Sequence, residues 1–272
     1  TYVENINLEA GVQLFGGFAG TETSRSQRNW RTNATIIDGN QAGTVVTANR
    51  WVTRGTILDG FTIRNGLADY GAGMGLWENA SPIIRNNIIR DNYARQQGGA
   101  IYHGEGGGAI VIGNVMTENT AVDRGGAVLG YRCHYSVFAS NSVTRNVGAT
   151  CGLDFHNCNP IIVNNTVAWN IGRNSTSEGS FMIWDNGTCR ASGNIIAFNT
   201  SGVRSNPSAE NIIFERNIVY GNFGADWMTI GSQFGKNGNL NVDPLLTLDR
   251  YGAAHIAPNS PAKDVANNPA DF

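Results

Sequence analysis

Charged residues are scarce in this chain, and long apolar runs are missing. Asp, Glu, Lys and Arg make up 15% of its 272 residues, and the formal net charge is −2. The chain therefore lacks the excess of positive charge that attracts nucleic acid, and the sequence predicts no nucleic-acid partner. No stretch of about 18 consecutive apolar residues is present, so it predicts no membrane-spanning helix. Long amphipathic runs of helix-forming residues are also missing, which argues against a mainly helical protein.

A short asparagine pattern occurs six times along the chain. In each copy two asparagines stand five positions apart, with mostly apolar or β-branched residues after the first. A period of 23 to 29 residues separates the copies, which are Asn87–Asn92, Asn114–Asn119, Asn141–Asn146, Asn165–Asn170, Asn194–Asn199 and Asn217–Asn222. Such a period is typical of a solenoid, in which each repeat is one coil of the chain.

Glycines recur in phase with the asparagines. Each precedes a short run that is typical of a β-strand, and the five are Gly73, Gly99, Gly126, Gly152 and Gly179. The chain contains 35 glycines, nearly double the usual share of about 7%. Each repeat has room for three short strands bounded by glycine or asparagine turns. We therefore predict an all-β fold, a single-stranded parallel β-helix of about nine or ten coils.

The first asparagine of each pair is expected to form a ladder. Coils of a β-helix stack about 4.8 Å apart, so asparagines at one corner can exchange amide hydrogen bonds. Asparagine also tolerates the left-handed conformation that a corner needs. The predicted ladder consists of Asn87, Asn114, Asn141, Asn165, Asn194 and Asn217.

A single β-helix domain is predicted over residues 1–272. Residues 1–55 read as irregular N-terminal coils, 56–238 as regular coils and 239–272 as a loop-rich C-terminal closure. The chain starts on a strand-like segment without a polar cap, which a solenoid needs over its first coil. We expect either that an upstream leader or cap was removed or that the open end meets another subunit. The second alternative predicts self-association.

Four cysteines are present, and none has the spacing of a metal-ligand pair. Cys133, Cys158 and Cys189 fall near one corner on successive coils, within disulfide reach of their neighbours. The sequence does not decide between a Cys133–Cys158 disulfide and free buried thiols. An even number of cysteines in a chain with little charge favours secretion.

Three motifs resemble known β-helix proteins. They are Phe15-Gly16-Gly17-Phe18 followed by Ile36-Ile37-Asp38-Gly39, Gly98-Gly99-Ala100-Ile101 with Gly125-Gly126-Ala127-Val128, and Asn259-Ser260-Pro261-Ala262-Lys263-Asp264. Together they resemble secreted right-handed parallel β-helix repeat proteins of the pectate-lyase-like superfamily, including polymorphic outer-membrane and adhesin-like repeats. The resemblance implies a right-handed helix and an extracellular or cell-surface location. The wider superfamily implies polysaccharide lyases, hydrolases and epimerases.

Aligning the coils by their glycines brings aromatic, histidine and charged residues onto one face. Aromatic rings stack on sugars and carboxylates bind hydroxyl groups, so the predicted substrate-binding residues are Trp77, Glu78, Tyr102, Tyr131 and Trp184. The candidate catalytic residues are His103, Arg132, His134, Asp154, His156 and Asp185. The alternative is that these residues form a side-chain stack that stabilises the solenoid.

The same face could perform two kinds of chemistry. A lyase needs a cation to neutralise a uronate and a base to take its C5 proton. Arg132 would be the cation, and His103, His134, His156 or Tyr131 the base. A hydrolase needs two carboxylates, for which Asp154 and Asp185 are the best pair. No aspartate cluster typical of a Ca²⁺ site is present, so no cofactor or metal is predicted, and Ca²⁺ enters only if the protein is a lyase.

The sequence thus favours an extracellular or cell-surface β-solenoid with a structural or adhesive role. Its expected partner is a polysaccharide or a cell-surface glycan, with self-association as a further expectation. The alternative is a polysaccharide lyase or glycoside hydrolase acting on an extracellular glycan, and the sequence leaves enzymatic activity open.

Overall fold

The chain folds into a parallel β-solenoid, as the repeats predict. The computed structural model describes residues 1–173, 178–184, 188–205, 212–263 and 265. Each strand of the solenoid pairs in parallel with the equivalent strand of the next coil, with register shifts between Ala94 and Gln97 and between His134 and Val137. Ile84, for example, lies between Leu58 of the preceding coil and Val111 of the following coil. A single turn of 3₁₀-helix, Arg25–Gln27, is the helical element of the described residues.

Two sheets of nine strands each form two sides of the solenoid. Sheet A contains Tyr2–Val3, Thr35–Asp38, Phe61–Arg64, Ile88–Arg90, Val115–Thr117, Ser142–Thr144, Thr166–Ala168, Ile195–Ala197 and Ile218–Tyr220. Sheet B contains Ile6–Leu8, Val46–Ala48, Met74–Leu76, Ile101–Gly104, Val128–Tyr131, Leu153–His156, Phe181–Trp184, Val203–Ser205 and Trp227–Met228.

Two smaller sheets complete the coils. Sheet C contains Gln13–Phe15, Ile57–Asp59, Ile83–Arg85, Ile110–Ile112, His134–Ala139, Asn159–Val163, Cys189–Ser192 and Ile212–Glu215. Sheet D lies between sheets A and B along the chain and contains Leu67–Tyr70, Tyr93–Gln97, Thr120–Ala121, Val147–Gly148 and Ile171–Gly172. A separate antiparallel hairpin, Leu246–Leu248 with Ala254–Ile256, follows the solenoid.

The solenoid makes about seven turns, so the predicted nine or ten was too many. The regular asparagine column begins at Asn87 and has its seventh member at Asn239. The prediction counted the irregular N-terminal coils over residues 1–55 together with the regular ones. The C-terminal segment, predicted as a closure, turns back as the hairpin and adds no coil.

The core is a set of vertical rows of apolar side chains. Sheet A contributes one such row, consisting of Ile63, Ile89, Met116, Val143, Val167, Ile196 and Val219, all buried. Burying a side chain of this size contributes about 1.5–3 kcal/mol. Phe138 and Phe155 pack edge to face in the core, with ring centroids 5.0 Å apart. Stability is therefore spread along the axis, one coil at a time.

Both asparagines of each copy form buried columns. In the first column, Asn114 donates from its main-chain and side-chain amides to Oδ1 of Asn141, at 2.9 and 3.1 Å. The second asparagine of each pair repeats this arrangement, and Asn119 donates both groups to Oδ1 of Asn146 at 3.0 Å. Each column thus satisfies main-chain groups that the turns of the coil leave unpaired.

The ladder asparagines do not adopt the left-handed conformation, and that expectation was wrong. The residue just before the asparagine adopts it, with φ of 56° at Asn86, 53° at Ser140 and 56° at Asn164. The asparagine side chain must point inward to reach the next coil, so the turn falls one position earlier. No single residue type occupies that position, and the sequence carried no signal for it.

The C-terminal hairpin lies along the outer face of sheet A. Thr144 donates its hydroxyl to the Gly252 carbonyl oxygen at 2.6 Å, and the Ala254 amide donates to Ser142 Oγ at 2.8 Å. Ala253 packs on the outward side chains of Ile88 and Val115. Residues far apart along the chain therefore shield the apolar part of this face from water.

A buried ion cluster fixes the N-terminal segment to the first regular coils. The Asp59 side chain is fully buried, 2.5 Å from Arg28 Nη2 and 2.7 Å from Arg85 Nε, and it accepts a hydrogen bond from Asn86 at 3.0 Å. Burial alone would raise the pKa of Asp59. The donors Arg28, Asn86 and Arg85 outweigh burial, so the pKa is lowered and the carboxylate stays ionised.

Cys133 and Cys158 are neighbours, but they are not bonded, so the predicted disulfide is not found. Their sulfur atoms lie 2.7 Å apart, and the Cys133 main-chain amide donates to Cys158 Sγ at 3.0 Å. Burial and the neighbouring Cys158 raise the pKa of the Cys133 thiol. The two residues therefore belong to the core as buried thiols.

Among the described residues, no helix is long and apolar enough to cross a membrane.

Candidate functional site

The predicted face lies partly on the outer surface of sheet B. Two outward positions alternate with inward ones along each strand. The first outward row contains Tyr102, Leu129, Asp154 and Met182. In the second, His156 lies between Tyr131 and Trp184. Five of the predicted residues, namely Tyr102, Tyr131, Asp154, His156 and Trp184, thus share one side of the solenoid.

A pocket of about 510 Å³ opens on this side. Sheet B forms one wall of the pocket through four lining residues, which are Tyr102, Leu129, Tyr131 and His156. The other lining residues come from sheet D and the turns that follow its strands, and they are Tyr70, Gln97, Asp123 and Arg124. The corner between sheets D and B thus forms the second wall of the pocket.

Three polar residues meet at the pocket, two of which line it, Arg124 and His156, while the third, Asp154, lies buried beside them. Asp154 is fully buried, and its Oδ2 accepts a hydrogen bond from the Thr150 hydroxyl at 2.5 Å. Its Oδ1 lies 2.9 Å from His156 Nε2. The same His156 Nε2 lies 2.9 Å from Arg124 Nη1. One imidazole nitrogen is therefore placed between a buried carboxylate and a guanidinium.

The aromatic residues of the pocket pack mainly on one another. Tyr102 stands edge to face with Tyr70 at 5.4 Å and tilts over Trp77 at 4.8 Å between ring centroids. Burial, and after it the negative charge of Glu105, raises the pKa of Tyr102, so its phenol stays protonated. Tyr102 can therefore donate a hydrogen bond to a ligand.

His103 lies inside the solenoid and is not part of this surface, although the sequence placed it there. It follows Tyr102 in the strand and so points the opposite way, between the inward positions of Leu76 and Gly130. Its Nδ1 lies 3.3 Å from Ser136 Oγ. Its Nε2 has no aligned hydrogen-bond partner among the described residues. Burial lowers the pKa of His103 to about 4, which keeps the ring neutral.

This buried histidine predicts acid sensitivity at mildly low pH. The pKa of His103 is lowered from 6.5 to about 4 on folding, so the unfolded chain binds its proton first, and stability falls as the pH drops below 6.5. We expect a loss of about 2 kcal/mol in the free energy of unfolding between pH 7 and pH 4.5. Urea unfolding at the two pH values measures it.

His103→Leu should flatten that dependence, because it removes the buried imidazole that gains a proton on unfolding. His134→Gln is the matched control, since His134 is exposed and should leave the dependence as it is. An equal pH slope in His103→Leu and the unmodified protein would contradict the assignment.

Three predicted residues lie at or beyond the corner between sheets B and C. Arg132 turns the corner with φ of 53° and stacks over the Tyr131 ring at 5.1 Å. Glu78 is exposed at the same corner and lies 3.6 Å from Arg50. His134 lines a separate groove of about 490 Å³ with Arg54 and Tyr135. The corner separates His134 from the pocket on sheet B.

Trp184 and Asp185 mark the C-terminal limit of the predicted face. The Arg204 guanidinium lies over the Trp184 ring at 4.7 Å and pairs with Glu178 at 2.7 Å. Asp185 lies outside the described residues, so its pairing with Asp154 stays a prediction. The two carboxylate oxygens of Asp154 already lie against Thr150 and His156.

Sequence reasoning missed the residues from the corner beside sheet D. Tyr70, Gln97 and Arg124 were not predicted, yet each directly precedes a glycine, Gly71, Gly98 or Gly125. All three glycines have positive φ, so the preceding residue stands at a fixed point of every coil. Aligning those positions would have placed the three side chains together beside the aromatic face.

In the described part of the chain, no group of three or more His, Cys, Asp or Glu side chains could hold a metal ion. Comparison with protein-family models, curated proteins and solved structures finds no match for this chain. The class defined by fold and site is a parallel β-solenoid with a polar, tyrosine-lined pocket on one side.

Proposed function

We propose that this protein binds an acidic polysaccharide in the pocket of sheet B and has a structural or adhesive role outside the cell. Arg124 carries the proposal. Among the described residues no carboxylate lies within 4.0 Å of its guanidinium, and its Nη1 lies 2.9 Å from His156 Nε2. An arginine in an open pocket with no acidic partner among these residues favours a ligand with a carboxylate or sulfate group.

The remaining walls suit a sugar. Tyr70, Tyr102 and Tyr131 offer ring edges and hydroxyl groups, and Gln97 offers an amide. Arg132 adds a second positive charge where it stacks on Tyr131, one of the lining residues. The volume lies in the range of small-ligand pockets, about 300–1,000 Å³. A longer glycan would continue along the solenoid axis past Trp184.

Calorimetric titration with uronate-containing, sulfated and neutral oligosaccharides tests the proposal. We expect binding of the acidic members, weakened about tenfold to a hundredfold by Arg124→Gln, because a charge-assisted hydrogen bond contributes about 1.5–3 kcal/mol. Arg95→Gln is the matched control, since Arg95 is an exposed arginine on sheet D that pairs with Asp69. Equal binding of neutral sugars, or no effect of Arg124→Gln, would place recognition elsewhere.

The second candidate is a polysaccharide lyase or hydrolase that uses the same pocket. Thr150, Asp154 and His156 form a connected chain beside Tyr131, which is an arrangement that can move protons. Binding is favoured over catalysis because His156 Nε2 is already engaged by Arg124 and Asp154. Release of reducing ends or of unsaturated uronates, lost in both His156→Gln and Tyr131→Phe, would favour the enzyme.

A further inference from the structure

We propose that the pocket is a proton-gated anion site, in which protonation of His156 releases Arg124 to bind the acidic group of a sugar. This inference rests on the proposed function and adds a regulation by pH. It starts from one nitrogen atom, His156 Nε2, which lies 2.9 Å from both Arg124 Nη1 and Asp154 Oδ1.

The contacts show which groups compete for this nitrogen. Arg124 can only donate, so the contact with Nε2 is a hydrogen bond when Nε2 is unprotonated. In that state Asp154 Oδ1 has no aligned donor among the described residues, although it is fully buried. Its other oxygen is satisfied by Thr150. A buried carboxylate oxygen without a donor loses its hydration and gains no hydrogen bond in return, which destabilises this arrangement.

Protonation rearranges these hydrogen bonds. A proton from solvent adds to the Nε2 lone pair, and after a small ring rotation the new N–H donates to Asp154 Oδ1. Arg124 then loses its acceptor and is repelled by the imidazolium. Its N–H groups turn toward the pocket, where an anion can lie between two positive charges. One proton is taken up for each anion bound.

The described groups beside His156 leave this coupling in place. Tyr131 and Trp184 flank it on the neighbouring strands, and Tyr102 and Asp123 line the same pocket. Asp123 accepts a hydrogen bond from Gln97 at 3.0 Å. Within the described residues, Arg124 opposes protonation of His156 and Asp154 favours it. An anion that neutralises Arg124 therefore raises the proton affinity of His156, and the effect is reciprocal.

Glucose 6-sulfate is a suitable probe, because the charge of its sulfate does not change between pH 8 and pH 5, and glucose is its neutral control. We expect binding to be about tenfold tighter at pH 5 than at pH 8, within the usual range of coupling between two sites. His156→Gln and Asp154→Asn should each reduce this ratio. His134→Gln, which removes a histidine outside the pocket, should preserve it.

A second measurement follows the imidazole directly. The chain has four histidines, so the Cε1–H signal of His156 can be assigned by NMR with His156→Gln. Its titration midpoint should fall in Asp154→Asn, rise in Arg124→Gln and rise when the probe is bound. Binding that is equal at both pH values, with Arg124→Gln still weakening it, overturns the gating and leaves the proposed function standing. Failure of every acidic sugar to bind at any pH overturns both.

Discussion

Asn146→Ala is expected to lower the free energy of unfolding by about 4 kcal/mol or more, since each buried group left unpaired costs about 1–3 kcal/mol. Asn146 is fully buried in the middle of its column. Its Oδ1 accepts from the main-chain and side-chain amides of Asn119. Its Nδ2 donates to the Met116 and Thr144 carbonyls and to Asn170. Alanine removes the acceptor of the Asn119 main-chain amide and the Asn146 donor to the Met116 carbonyl, whereas the Thr144 carbonyl keeps its hydrogen bond from the Glu118 amide.

Urea unfolding followed by circular dichroism measures this loss. Asn49→Ala is the matched control, because Asn49 is exposed and its change should cost less than about 0.5 kcal/mol. Asn146→Asp separates the roles of the two amide atoms, since it keeps an acceptor and loses the donor. Its deficit relative to the unmodified protein should shrink in acid, where the protonated carboxyl can donate. A loss in Asn146→Ala as small as that in Asn49→Ala would show that the column contributes little.

Asp59→Asn is expected to cost about 3–5 kcal/mol, the range for breaking a buried ion pair from one side. The substitution keeps the shape of the side chain but removes the charge that Arg28 and Arg85 share. The side chain of Arg28 is only 12% exposed, so water cannot replace Asp59 there. Asp69→Asn is the control, because Asp69 and its partner Arg95 are both 55% exposed, and such pairs contribute at most about 1 kcal/mol.

The pH dependence of the same variant gives a second test. The pKa of Asp59 is lowered on folding, so its ionised form stabilises the protein above the unfolded value, near 3.9, and this stabilisation is lost as the pH falls through the lowered value. The stability difference between the unmodified protein and Asp59→Asn should therefore be constant above pH 5 and shrink in stronger acid. A difference that grows in acid would contradict the assignment. The dependence due to His103 lies above this window, between pH 6.5 and about 4.

Much of the fold could be predicted because its contacts are periodic. Asn114 meets Asn87 on one side and Asn141 on the other, so the same residue type must return once per coil. The same holds for the inward rows of apolar residues, such as Ile89 and Met116. Contacts of this kind leave a visible period in the sequence, and that period predicted a parallel solenoid without further information.

The candidate site was predicted only in part. Tyr102 and His103 were assigned to one face, although neighbours in a strand point to opposite sides. The alignment of the coils by their glycines could not reveal these opposite directions, because it sets the position of a strand along the coil and not the direction of each side chain. The burial of the two side chains shows which of them faces the pocket. Tyr102 remains at the pocket, whereas His103 lies in the core beside Ser136.

The repeat itself was determined by the sequence, since every coil packs on a copy of itself and must therefore carry the same turns, rows and asparagines. Only the tertiary structure decided the contacts made once. It brought Arg124 from a turn after sheet D to His156 on sheet B, returned Gly252 to Thr144, and joined Arg28 to Asp59. Such contacts depend on where a loop or a chain end turns. The neighbouring coils do not repeat that turn, so these contacts leave no period in the sequence.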